Sequence, residues 1–293
     1  MSATDDHGSD PVAAPVAASA IAQYYDSNTG PFLALGGSGE VAAIHRAIYA
    51  PGVQTRAQAF NYLNACVAQA IKPCIESSHS QVQAQVLDLG CGVGGTSTWL
   101  AQTLAVGVTG ITISAAQQKL ATGRAQQLGL GHRCRFIQAD FAAMPELPTM
   151  DAAFAIESFV HAGSADSFFA MAARQLRSGG RLVICDDFLA PRNPPQAHKW
   201  VKRFERGWHL NNLGTLDHAI AAAARHGLHL INTEDLSAFV PGFYPPLLWS
   251  MRHLTRLPLP WPYWHNLAGG TALQYCIKQG WTRYHVLILE KAA

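Results

Sequence analysis

The sequence predicts an α/β protein built on a doubly wound, mostly parallel sheet, and three observations carry that prediction. Short apolar runs alternate with single helical stretches from Val86 onward. A glycine-rich stretch, Asp88-Leu-Gly-Cys-Gly-Val-Gly94, stands between the first run and the first of those helices. Apolar residues make up 49% of the 293 and charged residues 14%, so the chain can bury a sizeable core.

Seven strands are expected, at 86–89, 106–113, 135–139, 152–156, 181–185, 228–232 and 284–289. Helices at 96–104, 115–128 and 164–176 separate the early ones, which implies parallel neighbours joined by right-handed crossovers. Ahead of this core, residues 1–20 have the Ala, Pro, Ser and Asp composition of a tail. Residues 21–76 read as an N-terminal helical cap, interrupted by the turn Gly36-Gly-Ser-Gly39 and ended when Pro73 stops a helix over 57–71. A polar linker at 77–85 opens the α/β core, 77–190. The remainder, 191–293, should supply a cap plus the last strands of the sheet. It holds helices at 198–210 and 216–225, then a stretch at 239–264 rich in Pro and aromatics with no clean period.

Composition also excludes partners. A net charge of +2 without a Lys/Arg cluster excludes a nucleic-acid binder, because phosphate contacts need grouped cations. Six cysteines without CxxC spacing and thirteen histidines without an HExxH pattern give no metal site, and fit buried thiols in a reducing compartment. No apolar run approaches the ~18 residues of a membrane span, and no basic segment precedes an apolar one. A cytoplasmic enzyme with a small-molecule partner is expected, with a homodimer left open.

In the glycine stretch, Gly90 and Gly92 are expected to let backbone approach a ligand where a Cβ would intrude, and the helix behind them offers free N–H groups. Such a loop alone would also suit a dinucleotide dehydrogenase. The wording D-L-G-C-G-x-G, however, closely resembles motif I of class I S-adenosylmethionine-dependent methyltransferases. Three further stretches match that family in order: Gly107-Val-Thr-Gly-Ile-Thr-Ile-Ser-Ala-Ala-Gln117, Gln138-Ala-Asp140-Phe141, and Leu176-Arg-Ser-Gly-Gly-Arg-Leu-Val-Ile184. The resemblance covers about residues 20–190 and is closest to the sterol and cyclopropane-synthase branch and the bacterial terpenoid C-methyltransferases. It implies a Rossmann-like methyltransferase fold that binds S-adenosylmethionine through Asp88, Gly90 and Gly92. Most of the class hold the ribose with an acidic residue after the second strand, which this chain lacks. Thr112 and Gln117 would take over that contact. The Asp140 carboxylate would accept from the adenine amine, and the Phe141 N–H would read a ring nitrogen.

The fourth-strand segment, Asp151-Ala-Ala-Phe-Ala-Ile-Glu157-Ser-Phe-Val-His161, resembles carbon methyltransferases that act on alkenes. The chemistry explains a carboxylate there. A C=C bond that attacks a sulfonium methyl leaves a tertiary carbocation, which an anion stabilises and a base deprotonates. Glu157 is the expected catalytic residue, with His161 supporting it. Glu157 could instead hold the methionine amine. Tyr24 and Tyr25, in Ile21-Ala-Gln-Tyr-Tyr25-Asp26, resemble an element that folds over cofactor and substrate, with Tyr25 near the chemistry. His45, Arg46 and Arg56 could grip a diphosphate, since forked guanidinium donors suit phosphate. Magnesium could bridge such a group, though no carboxylate pair announces it. Trp200 and Phe204 head a supply of aromatics for an apolar pocket. These readings converge on C-methylation of an isoprenoid, plausibly a prenyl diphosphate in terpenoid biosynthesis. The alternatives are an O- or N-methyltransferase of a small aromatic metabolite, and a protein of this fold that binds without chemistry.

Overall fold

The computed structural model describes residues 16–35, 41–76, 83–255, 257 and 264–293. The expected tail up to residue 15, the turn at 36–39 and most of the linker at 77–85 lie outside the described residues.

Seven strands form one sheet: β1 (Gln85–Leu89), β2 (Gly107–Thr112), β3 (Cys134–Gln138), β4 (Met150–Ile156), β5 (Leu176–Leu189), β6 (Leu228–Asp235) and β7 (Thr282–Lys291). Their order is β3-β2-β1-β4-β5-β7-β6. The first five run parallel, and β7 is antiparallel to both β5 and β6. The central strands read as unbroken apolar runs because both faces are covered. Successive residues point to opposite sides. Val86, Phe154 and Val183 therefore share a core with Leu63, Val67 and Ile71 of α2 (Arg56–Glu76). Leu87, Ala153 and Ile184 instead meet Phe168, Phe169 and Met171 of α5 (Ala165–Gln175).

α3 (Gly95–Thr103) and α4 (Ala115–Gln127) lie in the α2 layer, and α7 (Leu216–Arg225) joins α5. Helix starts at α4, α5 and α7 are capped by Ser114, Ser164 and Thr215, each accepting from the N–H three residues on.

Three expectations need correction. The N-terminal segment is not helical throughout: α1 (Ala18–Leu35) starts inside the expected tail, and residues 41–55 form no helix. α2 does not stop before Pro73 but continues to Glu76. Arginines at the start of β5 explain this, since Arg181 donates to the Ala70 carbonyl at 2.8 Å and Arg177 to the Cys74 carbonyl at 2.6 Å. The carbonyls around the missing N–H are thus bonded from the sheet. α2 also covers the sheet, so it belongs to the core layer rather than to a cap.

In the C-terminal part, α6 (His198–Trp208) and α9 (Trp264–Lys278) pack around a core of their own, and α8 (Pro245–Leu254) lies against α9. The long helix α9 has no clear sequence signal because Gly269-Gly270 interrupts its pattern. A Cβ on Gly207 would lie 2.5 Å from the Gly269 Cα, so the two helices touch glycine to glycine. All six cysteines are free thiols, and among the described residues no helix is long and apolar enough to cross a membrane.

Candidate active site

A cavity of about 650 Å³ opens over the carboxyl ends of β1, β2, β3, β4 and β5, where open α/β sheets bind ligands. The glycine loop and the ends of β2 and β3 wall one half. The ends of β4 and β5, residues 42–46, α1 and α6 wall the other.

In the first half, Gly90 (φ 90°) and Gly92 (φ 52°) are both left-handed, which favours glycine. Their surroundings differ. A Cβ on Gly90 would sit 2.3 Å from the Ser158 Cβ, so that glycine makes room for protein rather than for a ligand, contrary to expectation. A Cβ on Gly92 would meet only the Ile44 Cδ1, at 3.7 Å, and point into open space. No side chain caps α3, so its first N–H groups are available to an anion. Asp88 is buried and accepts from Ser97 Oγ at 2.5 Å. Burial pushes its pKa up to about 7 against the pull of that hydrogen bond, a carboxyl that a bound cation would ionise.

Thr112 Oγ1 donates to Gln117 Oε1 at 2.9 Å, and both residues line the cavity as expected. Gln117 Nε2 donates in turn to Thr29 Oγ1 of α1 at 3.2 Å. Asp140 accepts from the Ala142 N–H at 2.9 Å and caps a short 3-10 turn that begins at Phe141. These residues fit S-adenosylmethionine: helix N–H groups for its carboxylate, a buried acid for a cation, and an acid at the end of β3 for the adenine.

In the second half, Glu157 follows β4 with φ 51°, a conformation that costs a non-glycine residue ~1–2 kcal/mol and is typically kept at functional positions. Its Oε1 accepts from the Arg46 N–H at 2.9 Å and from the Tyr284 hydroxyl at 3.1 Å. Arg46 Nε lies 3.5 Å from the same oxygen. The Arg46 guanidinium grips Asp187 with two nitrogens, Nη1 to Oδ1 at 2.9 Å and Nη2 to Oδ2, and lies over the Tyr284 ring at 4.7 Å. Burial works against its charge, but Asp187 and then Glu157 outweigh burial and hold its pKa above the ordinary value. Asp186 accepts from the N–H groups of Val160 at 3.2 Å and Asp187 at 2.9 Å. Burial first, and then Asp187, push it far above the usual carboxylate range.

His161 bonds Tyr25 Oη through Nε2 at 2.8 Å and the His209 carbonyl through Nδ1 at 3.3 Å. A carbonyl only accepts, so Nδ1 carries the proton, and the bare Nε2 accepts from Tyr25. Burial lowers the His161 pKa to about 4, so the ring is neutral.

Of the other expected residues, His45 and Phe204 line the cavity. Tyr24, Arg56 and Trp200 do not. Tyr24 packs its ring against Tyr25 and His209, at 5.1 and 4.8 Å between centroids. Arg56 is exposed at the start of α2, with its guanidinium over Phe60. Trp200 is buried against Tyr275 at 4.6 Å. Asp186, Asp187 and Tyr284 are not among the expected site residues, and Asp26 is expected only as part of the element at 21–26. The acidic pair after the apolar run 181–185 was a usable signal, because strand ends carry sites. Tyr284 had none. Asp26, which accepts from Ser114 Oγ and from the Ala116 N–H at 3.2 Å, pins α1 to α4.

Residues 86–180 match the methyltransferase domain family. A sterol 24-C-methyltransferase of Aspergillus fumigatus is 30% identical over 187 residues, 61% of this chain and 48% of that protein. The chain thus spans about half the length of the curated relatives it matches. Among solved structures, geranyl diphosphate C-methyltransferase from Streptomyces coelicolor A3(2), with Mg2+, geranyl diphosphate and S-adenosyl-L-homocysteine, superposes with a TM-score of 0.69 at 19% identity, covering 95% of this chain and 100% of that one. The cyclase SpnF superposes at 0.70 with 23% identity, covering 96% and 97%. One fold thus carries more than one chemistry, and the match of residues 86–180, not the superpositions, carries the assignment. Residues 86–180 carry a methyltransferase domain, set in a fold that continues on both sides of the matched segment.

Proposed function

We propose that the chain is an S-adenosylmethionine-dependent C-methyltransferase that methylates an alkene carbon of an isoprenoid. When bound, the cofactor supplies an electrophilic methyl group. The single observation that carries the reading is Glu157, a carboxylate on the cavity wall held by Arg46 and Tyr284. Alkene π electrons that form the new C–C bond leave positive charge on the neighbouring carbon. Glu157 stabilises that charge and takes the proton whose loss restores a double bond. Held from two directions, it has no need to reorganise as the charge develops. His161 is a weak proton acceptor, because burial lowers its pKa to about 4 and its Nε2 is engaged by Tyr25. Its part is to orient Tyr25.

The test is mass spectrometry and NMR of products formed from methyl-labelled cofactor and C10, C15 and C20 isoprenoids, with small phenols and amines alongside. Label on a former alkene carbon is expected. Label on oxygen or nitrogen of the aromatic compounds would replace this reading with O- or N-methylation, and conversion of substrate with no label would point to cofactor-bound chemistry without transfer.

A further inference from the structure

We infer that the reaction half of this cavity takes an uncharged isoprenoid and refuses a prenyl diphosphate, because Arg46, the cation in its wall, is already held by Asp187 and Glu157. The inference rests on the isoprenoid reading and narrows it. A diphosphate needs several strong donors converging on its oxygens. Arg46 has Nη1 and Nη2 on Asp187, and Nε and the backbone N–H on Glu157. The other arginine among the described wall residues, Arg174, is exposed in the last turn of α5, the helix whose Phe168 packs on Phe141 beside the cofactor half. Arg56 is not on the wall at all.

The two carboxylates that hold Arg46, Glu157 and Asp187, present like charge to an incoming diphosphate in a poorly solvated place. The two histidines of this half do not offset that. Burial lowers the pKa of His45, whose Nδ1 faces the Arg46 carbonyl at 3.0 Å and therefore carries the proton. Its Nε2 is buried without a partner among the described residues and can only accept, which suits a hydroxyl and not a phosphate oxygen. Ile21, Ile44, Val160, Phe204 and Leu210 give the wall an apolar stretch that suits a hydrocarbon.

The experiment pairs geraniol with geranyl diphosphate, and farnesol with farnesyl diphosphate. Binding is measured by calorimetry to protein loaded with S-adenosylhomocysteine, and turnover with S-adenosylmethionine, magnesium being present throughout. The alcohols should bind at least ~30-fold more tightly than their diphosphates, the scale of like-charge contact in a buried site. Asp187→Asn, checked for folding by circular dichroism, should move the preference toward the diphosphate by removing one negative charge and freeing one of the two guanidinium nitrogens. Glu157→Gln, which keeps an accepting oxygen, should move it the same way should the first variant not fold. Diphosphates bound or methylated as well as the alcohols would overturn the inference while leaving C-methylation intact. Neither ligand bound nor methylated would instead remove the isoprenoid reading, and this inference with it.

Discussion

In the cofactor half of the cavity, apart from the Gln117 bond to Thr29 of α1, polar side chains find partners close by in the chain. Ser97 is nine residues from Asp88, Gln117 five from Thr112, and Ala142 two from Asp140. In the reaction half the separations are 111 residues from Arg46 to Glu157, 141 from Arg46 to Asp187, 127 from Glu157 to Tyr284, and 136 from Tyr25 to His161. A strand–loop–helix unit can shape the first half almost by itself. The second half exists only once α1, the 41–46 loop, β4, β5 and β7 have all come together. Changes to the reaction half should therefore alter chemistry while leaving the cofactor half in place, and that separation can be attacked directly.

The largest effect is expected at Glu157. Glu157→Gln keeps an accepting oxygen for the Arg46 N–H and the Tyr284 hydroxyl, and Arg46 keeps Asp187 as its counter-ion. Only the charge facing the substrate is lost. Turnover should fall by roughly 10²-fold or more, the scale of lost electrostatic or acid–base help, while the cofactor dissociation constant stays nearly unchanged. Residual product should shift toward other double-bond isomers or water-quenched alcohols. Weakened cofactor binding with normal turnover at saturation would place Glu157 in the cofactor half and erase the division.

The same division decides what could be read from the sequence. The central strands were legible because burial on both faces writes apolar runs, and the glycine loop because Gly92 must leave open space. Arg46 was legible as a site residue, but not its commitment, because Asp187 lies in a strand that only folding brings to it. Arg56, ten residues on, shared the residue type that suggested phosphate and stands on the surface. Trp200 and Phe204 lie on the same helix, yet Trp200 fills the seam with Tyr275 and Phe204 reaches the cavity. Helical spacing alone does not say which face meets a neighbouring helix and which meets a void.

A smaller effect is expected at Gln117, and it tests whether the cofactor half is as local as its motifs suggest. The carboxamide joins Thr112 to Thr29 of α1 and is buried. Gln117→Ala should weaken cofactor binding by about 1–2 kcal/mol, ~5- to 30-fold, for one lost buried polar contact. Asp26→Ala separates two causes, since Asp26 pins α1 through Ser114 and the Ala116 N–H without lining the cavity. A loss at Gln117 alone would mean direct contact with the ribose. Equal losses would mean that α1, a distant segment, completes the cofactor half as well.

The smallest effect is expected at His161. Its ring is locked between the Tyr25 hydroxyl and the His209 carbonyl, and burial keeps its pKa near 4 rather than the ordinary 6.5. The unfolded chain binds a proton there at 6.5, whereas the folded chain resists until about 4. The ring's contribution to stability is therefore complete above 6.5 and declines as the pH falls from there toward 4. NMR should show the His161 ring neutral, with the proton on Nδ1, down to about pH 5, a unit above its pKa. His161→Gln can accept from Tyr25 through its amide oxygen, so turnover should fall less than ~10-fold, below the usual range for losing a general base. That variant should also leave the pH dependence of turnover above 6.5 unchanged, since the wild-type ring carries no charge there. A ring that titrates between pH 6 and 7, together with a loss as large as that of Glu157→Gln, would make His161 the proton acceptor. The reaction half would then have two acids or bases where this geometry supports one.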